Sequence, residues 1–253
     1  VSGSPASAHI RLEGLEKTFE GGPVLRGVDL SVPRGCLYGL IGPGAAGKSV
    51  LLKLLVGLLR PSRGRVLIEG VDVHALSELE LQSFRLRFGM AFQNYALFDA
   101  MTVAENISFP LRRTTSLDEQ AIAERVADRL RVVSLAGFED RMIAGLSGGQ
   151  KKRVAVARAM VSQGEIMLYD EPAAGLDPVT SQRIFDLIRR EQRATGSTVI
   201  TVSSDLDRLL TVTDRVGMLH RGRLLFDGTT AEAKASADPY VRQFVHGLTE
   251  GPL

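Results

Sequence analysis

Cys36-Leu37-Tyr38-Gly39-Leu40-Ile41-Gly42-Pro43-Gly44-Ala45-Ala46-Gly47-Lys48-Ser49 joins an apolar run to a glycine-rich loop and then to a second apolar stretch. The run predicts a buried strand, and Lys48 to Leu59 predicts a helix apolar on nearly every side. Both therefore belong at the centre of a domain. Between them, Gly42 to Ser49 fits G-x-x-x-x-G-K-[ST] in the strand–loop–helix setting that its mechanism needs. The glycines let the backbone curl so that successive N–H groups point inward at phosphate oxygens, and the helix start adds its positive end. Lys48 is placed to neutralise terminal phosphates and the Ser49 hydroxyl to ligate Mg²⁺.

Downstream, Leu146-Ser147-Gly148-Gly149-Gln150 opens the helix-forming run Lys151 to Met160. Ser147 reads as an N-cap, but a lone cap does not need two glycines after it; they permit close approach by something large and anionic. Ile166-Met167-Leu168-Tyr169-Asp170-Glu171 is an apolar strand with two carboxylates at its tip. Unpaired buried charge is costly, so a cation is expected there. Asp170 suits a direct or outer-sphere partner of Mg²⁺, and Glu171, on the other side, is placed to polarise an attacking water. Two phosphate-binding surfaces in one chain predict a clamp rather than a pocket.

The 253 residues suffice for a sizeable core, and 44% apolar with 24% charged residues is ordinary for a globular protein. A net charge of +2 gives no footprint for nucleic acid. The clusters Arg85/Arg87, Arg112-Arg113 and Lys151-Lys152-Arg153 read as solvated faces. The single cysteine, Cys36, allows no internal disulfide, suits a reducing compartment and reads as a small core residue. Val1 to Ala8 shows no secretory pattern, and no run approaches the roughly 20 apolar residues that span a bilayer. Any membrane-spanning part is expected from another chain.

Along the chain, Ile10, Leu12 and Leu15 alternate with charged residues, and Val24 to Val32 follows a Gly-Gly-Pro turn, predicting short strands of an antiparallel layer. Val66 to Ile68 is a further strand. Ser116-Leu117-Asp118-Glu119 has the form of a capping box, followed by Ile122, Val126, Leu130 and Val133 at helical spacing. Residues 95–160 thus read as a helical insertion between two α/β portions. Ile166 to Tyr169 and Thr198 to Ser203 predict buried parallel strands, and Val216 to Leu219 with Leu224 to Phe226 a hairpin around Arg221-Gly222.

These motifs, with Ala174-Gly175-Leu176-Asp177, occur in the order and spacing of ATP-binding cassette (ABC) ATPases, and the resemblance covers about residues 9–230. It implies an α/β fold: a P-loop NTPase core of ABC ATPase type (9–94 and 161–230) with an N-terminal antiparallel β layer, an inserted α-helical signature subdomain (95–160) and a C-terminal tail (231–253). It also implies ATP and Mg²⁺ as ligands, and a head-to-tail homodimer sandwiching two ATP molecules. By that resemblance Phe19 stacks on adenine, and Gly42, Pro43, Gly44, Ala45, Ala46, Gly47, Lys48, Ser49 and Val50 bind nucleotide. Gln93 reaches Mg²⁺ and the attacking water, Ser147, Gly148, Gly149 and Gln150 cap ATP on the opposite subunit, and Asp177 is the D-loop aspartate.

A finer resemblance lies in Phe92-Gln93-Asn94-Tyr95-Ala96-Leu97-Phe98, Met101 to Asn106, Phe109 to Arg112, Tyr169 to Pro172, Gly175 to Pro178 and the tail from Asp238 to Phe244. Together these are similar to the ATPase of the Mla system, which moves phospholipid between inner and outer membranes. That implies permease partners, a lipid-binding partner, a small regulatory subunit and a cytoplasmic position peripheral to the inner membrane. Another ABC importer or exporter ATPase, or a non-transport ATP clamp, shares the same catalytic motifs. Two places depart from the family: Gly44-Ala45-Ala46 stands where serine is common, although only main-chain donors are needed there, and Ser204 stands where the switch histidine is expected. A serine is shorter and uncharged, so it is expected to reach the γ-phosphate only through a bridging water; Glu171 and Gln93 then sustain slower hydrolysis, the alternative being a chain that binds ATP but barely turns it over.

Overall fold

The computed structural model describes residues 8–253. Apart from Ala8, the stretch read above for a secretory pattern lies outside the described residues. The chain opens with β1 (Ala8–Phe19) and β2 (Gly22–Pro33), paired antiparallel. They have the predicted character but are longer than the alternation suggests. A bulge at Glu13-Gly14 shifts the register between Leu12 and Leu15, so the buried face passes from even to odd positions without ending the strand. Next come β3 (Leu37–Ile41), α1 (Lys48–Leu55), β4 (Arg63–Ile68), β5 (Val71–Asp72), α2 (Glu78–Arg85) and β6 (Phe88–Ala91).

Helix α1 stops short of the expected Leu59. Gly57 takes φ 68°, its N–H bonds the Leu54 carbonyl, and the Leu58 N–H bonds Lys53. This is a Schellman ending. Arg85 reinforces it by donating to the Val56 and Gly57 carbonyls.

Three helices follow: α3 (Val103–Thr114), α4 (Glu119–Val132) and α5 (Gly148–Val161). Ile122, Val126 and Leu130 of α4 are buried as their spacing predicts. The capping box at Ser116 does not form. Asp118 is the N-cap, accepting from the Ala121 N–H at 2.8 Å, because a carboxylate immediately before the helix competes better than a serine two residues earlier.

The rest of the chain is β7 (Ile166–Asp170), α6 (Pro178–Thr195), β8 (Thr198–Val202), α7 (Leu206–Val212), β9 (Arg215–His220), β10 (Arg223–Thr229), α8 (Thr230–Lys234) and α9 (Pro239–His246). Strands β9 and β10 form the expected hairpin, with Arg221 and Gly222 both at positive φ.

The strands build a four-stranded sheet, β2-β1-β4-β5, and a six-stranded sheet, β10-β9-β3-β8-β7-β6. Strands β9, β3, β8, β7 and β6 run parallel. Side-chain alternation along the parallel strands separates two cores. Leu37, Ile41, Met167, Tyr169 and Val199 face the core shared with α3 to α6, while Tyr38, Leu40, Ile166, Leu168, Ile200 and Val202 face the one shared with α1 and the antiparallel layer. The expected α/β architecture with its antiparallel layer is present. No helix among the described residues is long and apolar enough to cross a membrane. Cys36 is buried, as expected, and burial pushes its thiol up to about 12.

Candidate nucleotide site

The loop between β3 and α1 is curled by positive φ at Gly42, Ala45 and Gly47. At Gly42 only hydrogen fits, since a Cβ would lie 1.9 Å from the Leu219 carbonyl oxygen of β9. Gly47 precedes α1 with no side-chain cap, which leaves the first N–H groups of the helix free for an anion. Lys48 folds back over the loop, donating to the Gly42 and Pro43 carbonyls at 2.7 and 2.8 Å. Burial lowers its ammonium from the usual lysine range, opposed by Glu171 and Asp170.

The loop forms one wall of a cleft of about 410 Å³ lined by Val24, Gly44 to Val50, Gln93, Asp170, Glu171 and Val202. Gln93, which follows β6, and the acidic pair at the tip of β7 thus converge on the phosphate loop. Asp170 is 4% exposed. Burial raises its carboxyl, while the nearby Ser49 hydroxyl and the charges of Lys53, Lys48 and Lys152 oppose that shift. Its Oδ1 is buried without a protein partner. An oxygen-rich pair, Ser49 and Asp170, with one carboxylate oxygen left over fits a hard cation such as Mg²⁺.

Glu171 turns away from Asp170 through a left-handed backbone (φ 53°), with its N–H on the Val202 carbonyl at 3.0 Å. The exposed Ser204 donates its hydroxyl to Glu171 Oε2 at 3.1 Å. The substituted switch position thus engages the carboxylate directly, a contact the sequence reading did not foresee. Val24 and Val202 were read as strand residues but not as part of the site; they are apolar walls whose place depends on how β2 and β8 abut the loop.

The other predicted residues lie outside the cleft lining. Phe19 ends β1, 41% exposed, with Lys17 Nζ 4.9 Å from its ring centre. Asp177 caps α6, accepting from the Val179 and Thr180 N–H groups. Ser147 caps α5 in a reciprocal capping box with Gln150. The two glycines between them also serve packing within the chain: a Cβ at Gly149 would lie 3.0 Å from Leu176 Cδ2, and one at Gly148 3.4 Å from the Tyr95 hydroxyl.

The basic clusters need correction. Lys152 is 6% exposed and donates to the Glu171 and Ala174 carbonyls. Arg153 donates to the Val133 and Ser134 carbonyls, and Arg87 bridges Glu69 and Glu165. Only Arg112-Arg113 resembles a solvated face, with Arg112 paired to Glu119 on the surface. A triplet of cations looks solvated in sequence because its partners are main-chain oxygens of distant loops.

Residues 25–174 match the ABC transporter family. The chain is 39% identical over 253 residues to the probable ribonucleotide transport ATP-binding protein mkl of Mycobacterium tuberculosis, covering all of this chain and 70% of that protein. It is 35% identical to the intermembrane phospholipid transport system ATP-binding protein MlaF of Escherichia coli, covering 89% of this chain and 84% of the other. Among solved structures it resembles a dimer of the ATP-binding cassette MJ0796 in a post-hydrolysis state bound to ADP and Pi. There the TM-score is 0.83 at 28% identity, over 87% of this chain and 98% of that one. Phosphate loop, paired carboxylates and whole-chain likeness agree: the chain is an ATP-binding, Mg²⁺-dependent ATPase of the ABC transporter family.

Proposed function

We propose that this chain is the ATP-hydrolysing subunit of a phospholipid transporter of Mla type, working as a homodimer with integral membrane permease subunits. The observation that carries the hydrolytic part is the convergence of Lys48, Ser49, Gln93, Asp170 and Glu171 on one cleft. The loop from Gly42 to Val50 receives the phosphates on its main-chain N–H groups, Pro43 having none to give, and Lys48 neutralises the terminal ones. Ser49, Asp170 and Gln93 hold Mg²⁺, which when bound offsets charge on the phosphate oxygens. Glu171 takes the proton of the attacking water, held in place by Ser204. Phe19 stacks on adenine. Ser147 to Gln150 and Asp177, outside the cleft of their own chain, serve the partner subunit's nucleotide, so two copies make two complete sites. ATP closes the dimer, hydrolysis reopens it, and residues 95–160 pass the motion to the permease.

The phospholipid assignment draws support from the linked stretches around Gln93, Asp170 and the tail, and from the likeness to MlaF. It implies a lipid-binding partner, a small regulatory subunit on the tail after Ala231, and a place on the cytoplasmic side of the inner membrane. The likeness to mkl, whose name gives ribonucleotide as cargo, makes cargo the point to test. Purification of the tagged chain from detergent-solubilised membranes is expected to bring down a permease and phospholipid, with ATPase activity stimulated by phospholipid. A complex stimulated by ribonucleotides and indifferent to phospholipid, or a chain recovered with no membrane partner, contradicts it.

A further inference from the structure

Helix α5 places three cations against strained backbone. Among the described residues, eight non-glycine residues have positive φ. Four of them (Tyr95, Ala96, Ser134 and Glu171) have their carbonyl oxygens held by α5. Lys152 donates to Glu171 at 3.0 Å, Arg153 to Ser134 at 3.0 Å, and Arg158 to Ala96 and Tyr95 at 2.7 and 3.0 Å. Left-handed backbone on such residues is strained and persists where its surroundings over-determine it. Hydrogen bonds from charged donors, about twice as strong as neutral ones, supply that constraint.

Lys152 stands out among the three. Its side chain is buried, its Nζ also donates to the Ala174 carbonyl at 3.0 Å, and it lies 5.6 Å from the centre of the Tyr95 ring. One ammonium thus binds both ends of the turn that begins at Glu171 and touches the segment just after Gln93. A buried cation whose hydrogen bonds go to carbonyl oxygens is costly to place there. Its value lies in fixing where the Glu171 main chain turns.

We propose that Lys152 is a positioning residue for Glu171: its ammonium holds the left-handed turn that aims the carboxylate into the cleft and links that turn to the segment after Gln93. This rests on Glu171 being the general base. Misplacing a reacting group by about 1 Å costs up to roughly 100-fold in rate. Lys152→Met, which keeps the apolar stem and removes the donors, is therefore expected to lower kcat roughly 10- to 100-fold. KM for ATP should stay within about twofold, because the phosphate loop is untouched. Lys152→Gln, with a shorter amide donor, should recover part of the loss.

The experiment is a double-mutant cycle on the full-length protein, with single-turnover ATP hydrolysis, ATP affinity and thermal unfolding measured for wild type, Lys152→Met, Lys152→Gln, Glu171→Gln and Lys152→Met/Glu171→Gln. The expected result is that Lys152→Met slows the wild type but adds nothing once Glu171 is Gln, with partial rescue by Lys152→Gln. Equal slowing in both backgrounds, no slowing, or a rate loss that tracks lost ATP affinity or lost folded protein without rescue overturns the positioning role. Turnover by Glu171→Gln at the wild-type rate overturns the reading of Glu171 itself and is seen in that variant alone.

Discussion

At the scale of single residues, the proposed chemistry turns on Glu171 and what surrounds it. Its main-chain N–H is bound by β8, its carbonyl by Lys152 and its carboxylate by Ser204. Ser204 is exposed, so its hydrogen bond is worth less than a buried charged one, about 1 kcal/mol. Ser204→Ala is expected to lower kcat about fivefold with ATP affinity unchanged, measured by steady-state hydrolysis and equilibrium binding. Ser204→His should raise turnover, since an imidazole is longer and, when cationic, stabilises charge developing on the terminal phosphate. A histidine variant no faster than wild type in the assembled complex would sink that view of the position. Lys48, Ser49, Asp170 and Glu171, which line one cleft, were legible as candidates because each sits in a local pattern whose chemistry is complete within a few residues. The Ser204–Glu171 contact was not legible. It joins residues 33 apart in the chain and exists only because β7 and β8 are neighbours, with Asp170 opposite Val202.

At the scale of elements, the apolar runs predicted β3, β7 and β8 because strands buried on both faces leave little choice of pattern. Ends were harder. Helix α1 stops where Gly57 goes left-handed, although Leu58 and Leu59 continue the apolar run, and α4 starts from Asp118 because the nearer carboxylate takes the cap. His9 of β1 illustrates a tie between elements that no local pattern shows. It is 2% exposed, its Nδ1 lies 2.6 Å from the Thr198 hydroxyl at the start of β8, and that hydroxyl also accepts the Gly35 N–H. Burial, then the charges of Arg34 and Arg87, lower its imidazole to about 4, with Glu165 opposing. The folded state thus keeps His9 neutral while the unfolded chain takes up a proton below about 6.5. The associated stability is complete above that pH and is lost as pH falls towards 4. Between pH 7.5 and 5, the wild type should lose about 1–2 kcal/mol more unfolding free energy than His9→Gln, measured with denaturant. Equal losses in the two proteins would contradict the linkage.

At the scale of the whole molecule, the six-stranded sheet divides the two cores, and the cleft opens where the C-terminal ends of β3, β6, β7 and β8 meet the antiparallel layer. That gathers the phosphate loop, Gln93, Asp170 and Glu171 at one edge and leaves Ser147 to Gln150 outside, the arrangement the proposed two-copy clamp needs. The order of the motifs was enough to predict the α/β fold with its antiparallel layer. The internal brace formed by α5 was not, because Lys152 and Arg153 read as surface charge until the carbonyls that hold them are in place. The central claim is that this cleft binds Mg²⁺-ATP and hydrolyses it with Glu171 as base. Its most direct test compares wild type and Glu171→Gln for equilibrium Mg²⁺-ATP binding and for single-turnover hydrolysis. The account predicts affinity within about twofold and hydrolysis slowed at least 100-fold, the usual contribution of a general base. A variant that hydrolyses ATP at the wild-type rate, or one that no longer binds it, would contradict the account.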